Sequence, residues 1–122
     1  MAEEDLARGD VVVVTLPGQV PAGREQVGLR PAVVVGLPAR PARCPVLVLV
    51  PLTTRRGPWA DGNPQLYPVL AAGSGGLPRP STALCDQLRA CDEARLRGRL
   101  GRLDAEAYGV IRQGLRTLLN LP

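Results

Sequence analysis

The sequence predicts a mainly β domain, in which several short strands form a small, strongly curved sheet or partial barrel that one C-terminal helix closes. Three continuous apolar runs, rich in valine and leucine, are typical of buried strands. The end of the chain instead repeats its apolar residues at helical spacing. With 122 residues, of which 45% are apolar, the chain is long enough for one domain with a real core.

Each strand is predicted where an apolar run lies between turns rich in glycine and proline. The first three strands cover residues 11–16, 32–37 and 46–52. Residues 38–45, with three prolines, form a turn-rich connector between the second and third strands. After a long irregular stretch, two further strands are predicted at residues 66–71 and 81–89.

Helical structure is predicted only near the C-terminus. Asp92 is suited to cap a single helical turn, and Asp104 to cap a helix that runs to about Leu119. Leu103 and Tyr108 flank that cap and could form a hydrophobic staple. The apolar face of the helix comprises Ala107, Ile111, Leu115 and Leu118.

The charged residues permit a polyanionic partner. All fifteen basic residues are arginine, and the formal net charge is +4. The planar, permanently charged guanidinium suits phosphate oxygens, although basicity this modest does not prove a nucleic-acid partner. The chain has no histidine, so acid–base chemistry must come from other groups.

Neither a metal site nor a membrane segment is indicated. Cys44, Cys85 and Cys91 are odd in number and fit no metal-ligand spacing, so we interpret them as small buried residues in a reducing compartment. The acidic N-terminus has no signal-peptide apolar region, and no apolar run could span a bilayer. We therefore expect a cytoplasmic protein without metal or cofactor.

Polar side chains gather at three predicted strand ends. They are Glu25 and Arg30 before the second strand, Thr53, Thr54, Arg55 and Arg56 after the third, and Ser81 and Gln87 in the fifth. Gly28, two residues before Arg30, would let the backbone approach a ligand closely. Trp59, in a loop rich in glycine and proline, could stack on a base or anchor that loop. Taken alone, each of these groups of polar side chains could equally form an ordinary surface ion pair or a local hydrogen bond to the backbone.

Four sequence blocks occur in a particular order along the chain. They are Arg8-Gly9-Asp10-Val11-Val12, Gly28-Leu29-Arg30-Pro31, Leu52-Thr53-Thr54 and Asp86-Gln87-Leu88-Arg89. This order resembles the MazF/PemK family of toxin–antitoxin endoribonucleases. The resemblance extends from about Arg8 to Leu119, and the second and fourth blocks are its most specific parts.

The resemblance implies one toxin domain over residues 1–122, an SH3-like partial barrel that forms a homodimer. It implies cleavage of single-stranded RNA, including mRNA, at short specific sequences without metal, leaving a 2′,3′-cyclic phosphate and a 5′-hydroxyl. It implies catalytic roles for Arg30 and Thr53, and the acid ahead of the second block maps to Glu25. A cognate MazE-like antitoxin with an acidic C-terminal tail would inhibit the enzyme.

These residue types suit the implied chemistry. Attack by a ribose 2′-hydroxyl needs a base, a stabiliser for the charged phosphorane and a donor for the leaving oxygen. Arg30 is suited to stabilise the phosphorane, and Thr53 could orient the phosphate or pass a proton. The base is left as Glu25 or solvent. The candidates for RNA contact are Gly28, Thr54, Arg55, Arg56, Trp59, Ser81 and Gln87.

Two other functions stay open at this stage. A gyrase poison like the related CcdB toxins would share the fold but cut nothing. Those toxins depend on an aromatic C-terminus, whereas this chain ends Leu118-Leu119-Asn120-Leu121-Pro122. A catalytically weak module that only engages its antitoxin is the second alternative.

Overall fold

The computed structural model describes residues 6–18, 20–38 and 46–122. Within them, seven strands form one antiparallel sheet with the order β4-β5-β3-β2-β1-β7, and β6 pairs separately with β3. The strands are β1 (Asp10–Leu16), β2 (Gly28–Gly36), β3 (Val46–Thr53), β4 (Val69–Leu70), β5 (Ser81–Ala83), β6 (Arg89–Asp92) and β7 (Leu96–Arg102). Two α-helices, α1 (Pro58–Asp61) and α2 (Ala105–Leu119), complete the fold. The mainly β architecture with a closing C-terminal helix is confirmed.

The core has two clusters of side chains, which explains why the strands are apolar without interruption. Successive strand residues point to opposite faces of the sheet. In β1, Val11 packs into the cluster that includes Ile111 of α2, while Val12 and Val14 pack into the other cluster, with Leu47 of β3. Both faces of β1 and β3 are therefore buried, and neither shows polar alternation.

The second strand is longer than the sequence predicts. β2 begins at Gly28, because residues 28–33 pair with all of β1 from Leu16 back to Val11. Gly28 has a φ of +83°, a conformation that favours glycine. Arg30 therefore lies within a strand, opposite Val14, and not in a loop.

The prediction of one strand over residues 81–89 is wrong. Between Leu52 and Leu49, three steps along β3, the partner chain advances six residues, from Ala83 to Arg89. The three extra residues form a 3₁₀ turn, Cys85–Gln87, that separates β5 from β6. This turn brings Asp86 and Gln87 to the surface at the end of the sheet.

Two other strands differ from the sequence prediction, because backbone pairing rather than an apolar run determines their extent. The strand expected at residues 66–71 is limited to Val69–Leu70. β7 has no apolar run in its sequence, and its residues Arg97, Arg99 and Arg102 are exposed. It nevertheless pairs with β1 along its length. The backbone of β7 therefore pairs with the polar groups at the edge of β1, although no residue of β7 is fully buried.

Asp10 connects β1 to β7. Its carboxylate is fully buried and accepts hydrogen bonds from Arg102 Nε at 2.6 Å and from the backbone N–H of Ala7 at 2.8 Å. Arg99 Nε lies 3.5 Å from the same carboxylate. The Arg8-Gly9-Asp10 block thus has a structural task, which is to hold the edge strand.

The C-terminal helix begins as predicted, with the Asp104 carboxylate accepting the N–H of Ala107 at 2.8 Å. Leu103 and Tyr108 both pack at the first core cluster. Of the predicted apolar face, Ala107, Ile111 and Leu115 pack at this cluster, whereas Leu118 is 38% exposed near the end of the helix. Gly114 is also buried, and a Cβ at this position would lie 2.7 Å from the Gln65 carbonyl oxygen.

The described cysteines behave as the sequence predicts. Cys85 and Cys91 are buried and free, whereas Cys44 lies outside the described residues, as do most of the 38–45 connector and the acidic N-terminus. Burial, with a smaller contribution from the charge of Asp86, raises the pKa of the Cys85 thiol to about 12. Among the described helices, none is long and apolar enough to cross a membrane.

Candidate active-site cleft

A cleft of about 490 Å³ opens at the C-terminal end of β3. Four of its lining residues were candidates from the sequence: Thr53, Arg55, Trp59 and Gln87. Gln26, Tyr67 and Asp86 also line the cleft but were not candidates. The sequence held a weak signal for two of them, since Asp86 adjoins Gln87 and Tyr67 is one of few aromatic residues.

Arg30 and Thr53 emerge from the same end of the β2–β3 pair. Ala32 pairs with Pro51, and Arg30 and Thr53 each stand two residues further along their strands at this end of the pair. Ladder pairing stops at Ala32, so the two strands separate where these residues stand. Thr53 is only 8% exposed, and its Oγ1 accepts the Arg55 N–H at 3.1 Å. Arg30 is exposed and does not line the Thr53 cleft.

Glu25 lies beside a second depression. This neighbouring space of about 440 Å³ is lined by Glu25, Arg89 and other residues, and it shares Asp86 and Gln87 with the Thr53 cleft. The 3₁₀ turn that carries Asp86 and Gln87 therefore forms a ridge between the two spaces. Glu25 is exposed and stands on the side of the ridge away from Thr53.

Two of the RNA-contact candidates are engaged by the protein itself. Arg56 donates from Nε to Asp61 at 2.8 Å and from Nη1 to the Tyr67 carbonyl at 2.9 Å and to Thr82 Oγ1 at 3.2 Å. Ser81 is buried away from the cleft. Neither residue lines the cleft; the Arg56 side chain is 27% exposed with its donors engaged by the protein, and Ser81 is buried.

The remaining candidates are exposed, apart from Gln87. Thr54 and Arg55 are exposed after β3, and Gly28 is exposed at the start of β2. Gln87 is half-buried, and both ends of its amide bind backbone: Oε1 accepts the Gln26 N–H at 2.8 Å, and Nε2 donates to the Arg24 carbonyl at 3.4 Å.

One wall of the cleft is aromatic and neutral at physiological pH. Trp59, 47% exposed, meets Tyr67 edge to face with ring centroids 5.0 Å apart. The Tyr67 hydroxyl donates to the Asp86 carboxylate. This hydrogen bond, helped by desolvation, raises the pKa of Tyr67 to about 12, so the phenol keeps its proton. The wall offers a flat apolar surface next to a carboxylate.

In the part of the chain that the structure describes, no three side chains of His, Cys, Asp or Glu are grouped so that they could hold a metal ion. The Thr53 cleft is lined instead by Arg24, Arg55, the threonine and the aromatic wall, and Arg30 stands outside it. Guanidinium and hydroxyl groups suit a phosphate, and an aromatic ring suits a flat base.

The fold and this cleft define a class, namely small antiparallel half-barrels with a C-terminal helix and a polar cleft at the end of a central strand pair. A family model described as the PemK-like, MazF-like toxin of type II toxin–antitoxin systems matches residues 7–119. The chain belongs to this family, and the resemblance seen in the sequence is confirmed. No curated protein matches the chain significantly.

Solved structures share the fold. An endoribonuclease from a mycobacterial species, in complex with its cognate antitoxin, is 23% identical with a TM-score of 0.71, covering 96% of this chain and 97% of that one. MazF from Deinococcus radiodurans is 24% identical with a TM-score of 0.71, covering 94% and 96%. A MazE–MazF complex from the same organism is 24% identical with a TM-score of 0.66, covering 96% and 97%. The predicted MazF-like half-barrel is therefore confirmed.

Proposed function

We propose that this protein is a toxin endoribonuclease that cleaves single-stranded RNA at short sequences and is inhibited by a cognate antitoxin. The observation that carries the proposal is a guanidinium and a hydroxyl, from Arg30 and Thr53, at one end of the β2–β3 pair in a chain of the PemK/MazF family. A mycobacterial protein with this fold is an endoribonuclease bound to its antitoxin.

The proposed reaction is an internal transfer of the phosphodiester. The ribose 2′-oxygen attacks phosphorus and gives up its proton, the bond to the 5′-oxygen breaks, and that oxygen takes a proton to leave as a hydroxyl. Arg30 stabilises the extra negative charge on the phosphorane, and Thr53 orients the phosphate or donates to the leaving oxygen. Arginine is too basic to accept the proton, so the acceptor is Glu25 or a water. Because Arg30 supplies the positive charge, we propose that no metal is needed.

The cleft also suggests how bases would be held. A base can stack on the exposed part of Trp59 whatever its identity, because every base has a π-face. Arg55, exposed at the mouth of the cleft, can pair with a backbone phosphate. The aromatic wall would thus contribute affinity.

The decisive experiment incubates the purified protein with a long RNA in EDTA and maps every new end. We expect cuts at a short recurring sequence, with 2′,3′-cyclic phosphate and 5′-hydroxyl products. Products with a 3′-hydroxyl, or cleavage that appears only with added Mg²⁺, would contradict the mechanism. Intact RNA together with inhibited DNA gyrase would support the CcdB-like alternative instead.

A partner prediction follows from the charge. We propose a homodimer whose groove accepts either RNA or an acidic antitoxin tail, since both are polyanions that the arginines attract.

Two measurements test this proposal. Light scattering should give a mass near twice 12.9 kDa. An acidic peptide from the cognate antitoxin should compete with RNA, and more weakly as salt rises. A monomer that is fully active at every dilution would refute the dimer, and inhibition that excess RNA cannot relieve would refute the shared groove.

A further inference from the structure

The segment that leads into β2 is held from across the chain. We define residues 24–27 as the strap. The Gln26 N–H donates to Gln87 Oε1 at 2.8 Å, and the Gln26 carbonyl accepts from Arg89 Nη1 at 3.1 Å. Gln87 Nε2 also donates to the Arg24 carbonyl at 3.4 Å. All three bonds end on strap backbone, so Gln87 and Arg89 fix its position whatever side chains it carries.

The strap lies outside the β ladder. It precedes the first ladder pair of β2, and three of its four residues are exposed. It joins β2 at Gly28, whose φ of +83° lies in the left-handed region that favours glycine. The hydrogen bonds from Gln87 and Arg89 are therefore well placed to hold the strap against the rest of the protein.

The strap in turn touches Arg30. Its last carbonyl, of Val27, accepts the Nε–H of Arg30 at 3.0 Å. A connected path of hydrogen bonds and backbone thus runs from Gln87 and Arg89, through Gln26 and Val27, to the guanidinium. The 3₁₀ turn between β5 and β6 begins this path, because it places Gln87 on the surface facing the strap.

We propose that Gln87 and Arg89 are positioning residues that hold the strap so that the Val27 carbonyl orients Arg30. The effect on catalysis rests on the proposed RNA cleavage, whereas the effect on the Arg30 side chain does not. Misplacing a catalytic group by about 1 Å can cost roughly a hundredfold in rate. Gln87 would then act through Arg30 and not as a direct RNA contact.

The first arm of the test needs no activity. Amide hydrogen exchange and ¹⁵N spectra of arginine Nε–H groups, assigned with Arg30→Lys, are compared for wild type, Gln87→Ala and Arg89→Met. Both variants should speed exchange at the Gln26 N–H and the Arg30 Nε–H at least about tenfold, the scale of one lost hydrogen bond. Arg97→Met is the matched control, because Arg97 donates to the Ala94 and Leu96 carbonyls and, within the described residues, to no part of the strap. An unchanged Arg30 Nε–H in both variants would overturn the proposal.

The second arm separates positioning from contact. Gln87→Ala and Arg89→Met should each lower kcat about ten- to a hundredfold while KM stays within twofold, and the double variant should be no worse than the worse single one. Gln87→Glu, which keeps the acceptor for the Gln26 N–H, should recover part of kcat. A raised KM with intact kcat would overturn positioning and make Gln87 an RNA contact. If the wild type cuts no RNA, the proposed function fails, and the first arm alone decides whether these residues position Arg30.

Discussion

Arg30→Ala should lower the rate of RNA cleavage at least about a hundredfold, which is the effect of removing one donor that stabilises a transition state. Arg30 and Thr53 each stand two residues beyond Ala32↔Pro51, the last ladder pair of β2 with β3 at this end, and a planar guanidinium fork can bind two phosphate oxygens at once. Single-turnover cleavage of a defined RNA in EDTA measures the change without interference from product release. Arg30→Lys keeps the positive charge but loses the planar fork, so its cleavage rate should lie between those of the wild type and Arg30→Ala.

The control for lost charge is Arg112→Ala, on the exposed face of α2, which should cleave at the wild-type rate. Thr53→Ala should also be impaired, and Thr53→Ser, which keeps the hydroxyl, should be much less so. If Arg30→Ala and Thr53→Ala both retained full activity, the assignment of the site would have to be abandoned.

A single 2′-deoxy substitution at the cut nucleotide should abolish cleavage there, because it removes the nucleophile and leaves the rest of the substrate unchanged. The same substitution one nucleotide further along should leave the rate nearly intact, which controls for altered binding. DNA of the same sequence should stay uncut. A cut at the deoxy position would show that water or another external nucleophile attacks the phosphorus, and the proposed mechanism would then be wrong.

The strands that form the core could be predicted because burial on both faces leaves a direct mark on the sequence. β1 and β3 match their apolar runs to within one residue at each end. β7 left no such mark, because it joins the sheet through backbone hydrogen bonds and exposes arginines. The 3₁₀ turn at Cys85–Gln87 was equally hidden, since the offset between β5 and β6 depends on how both pair with β3.

In the candidate site, too, features marked by local sequence could be predicted, whereas contacts between distant residues could not. Arg30 and Thr53 could each be placed next to a strand from neighbouring apolar residues, and the pairing of β2 with β3 puts both residues at the same end of that pair. The bonds from Gln87 and Arg89 to the strap join residues more than sixty positions apart, and nothing local encodes them. The structural engagement of Arg56 was missed for a similar reason, because its partners include Thr82, far along the chain.

The contacts of Arg56 have a consequence for conformational entropy. Its guanidinium joins Asp61 of α1, the Tyr67 carbonyl and Thr82 of β5, so α1, which carries Trp59, is held by contacts within the protein itself. Immobilising a side chain on binding costs about 0.5–1.5 kcal/mol. A molecule that docks against this wall avoids that cost for each group already fixed. If RNA binds in the cleft as proposed, its affinity would depend in part on these contacts of Arg56 with the protein.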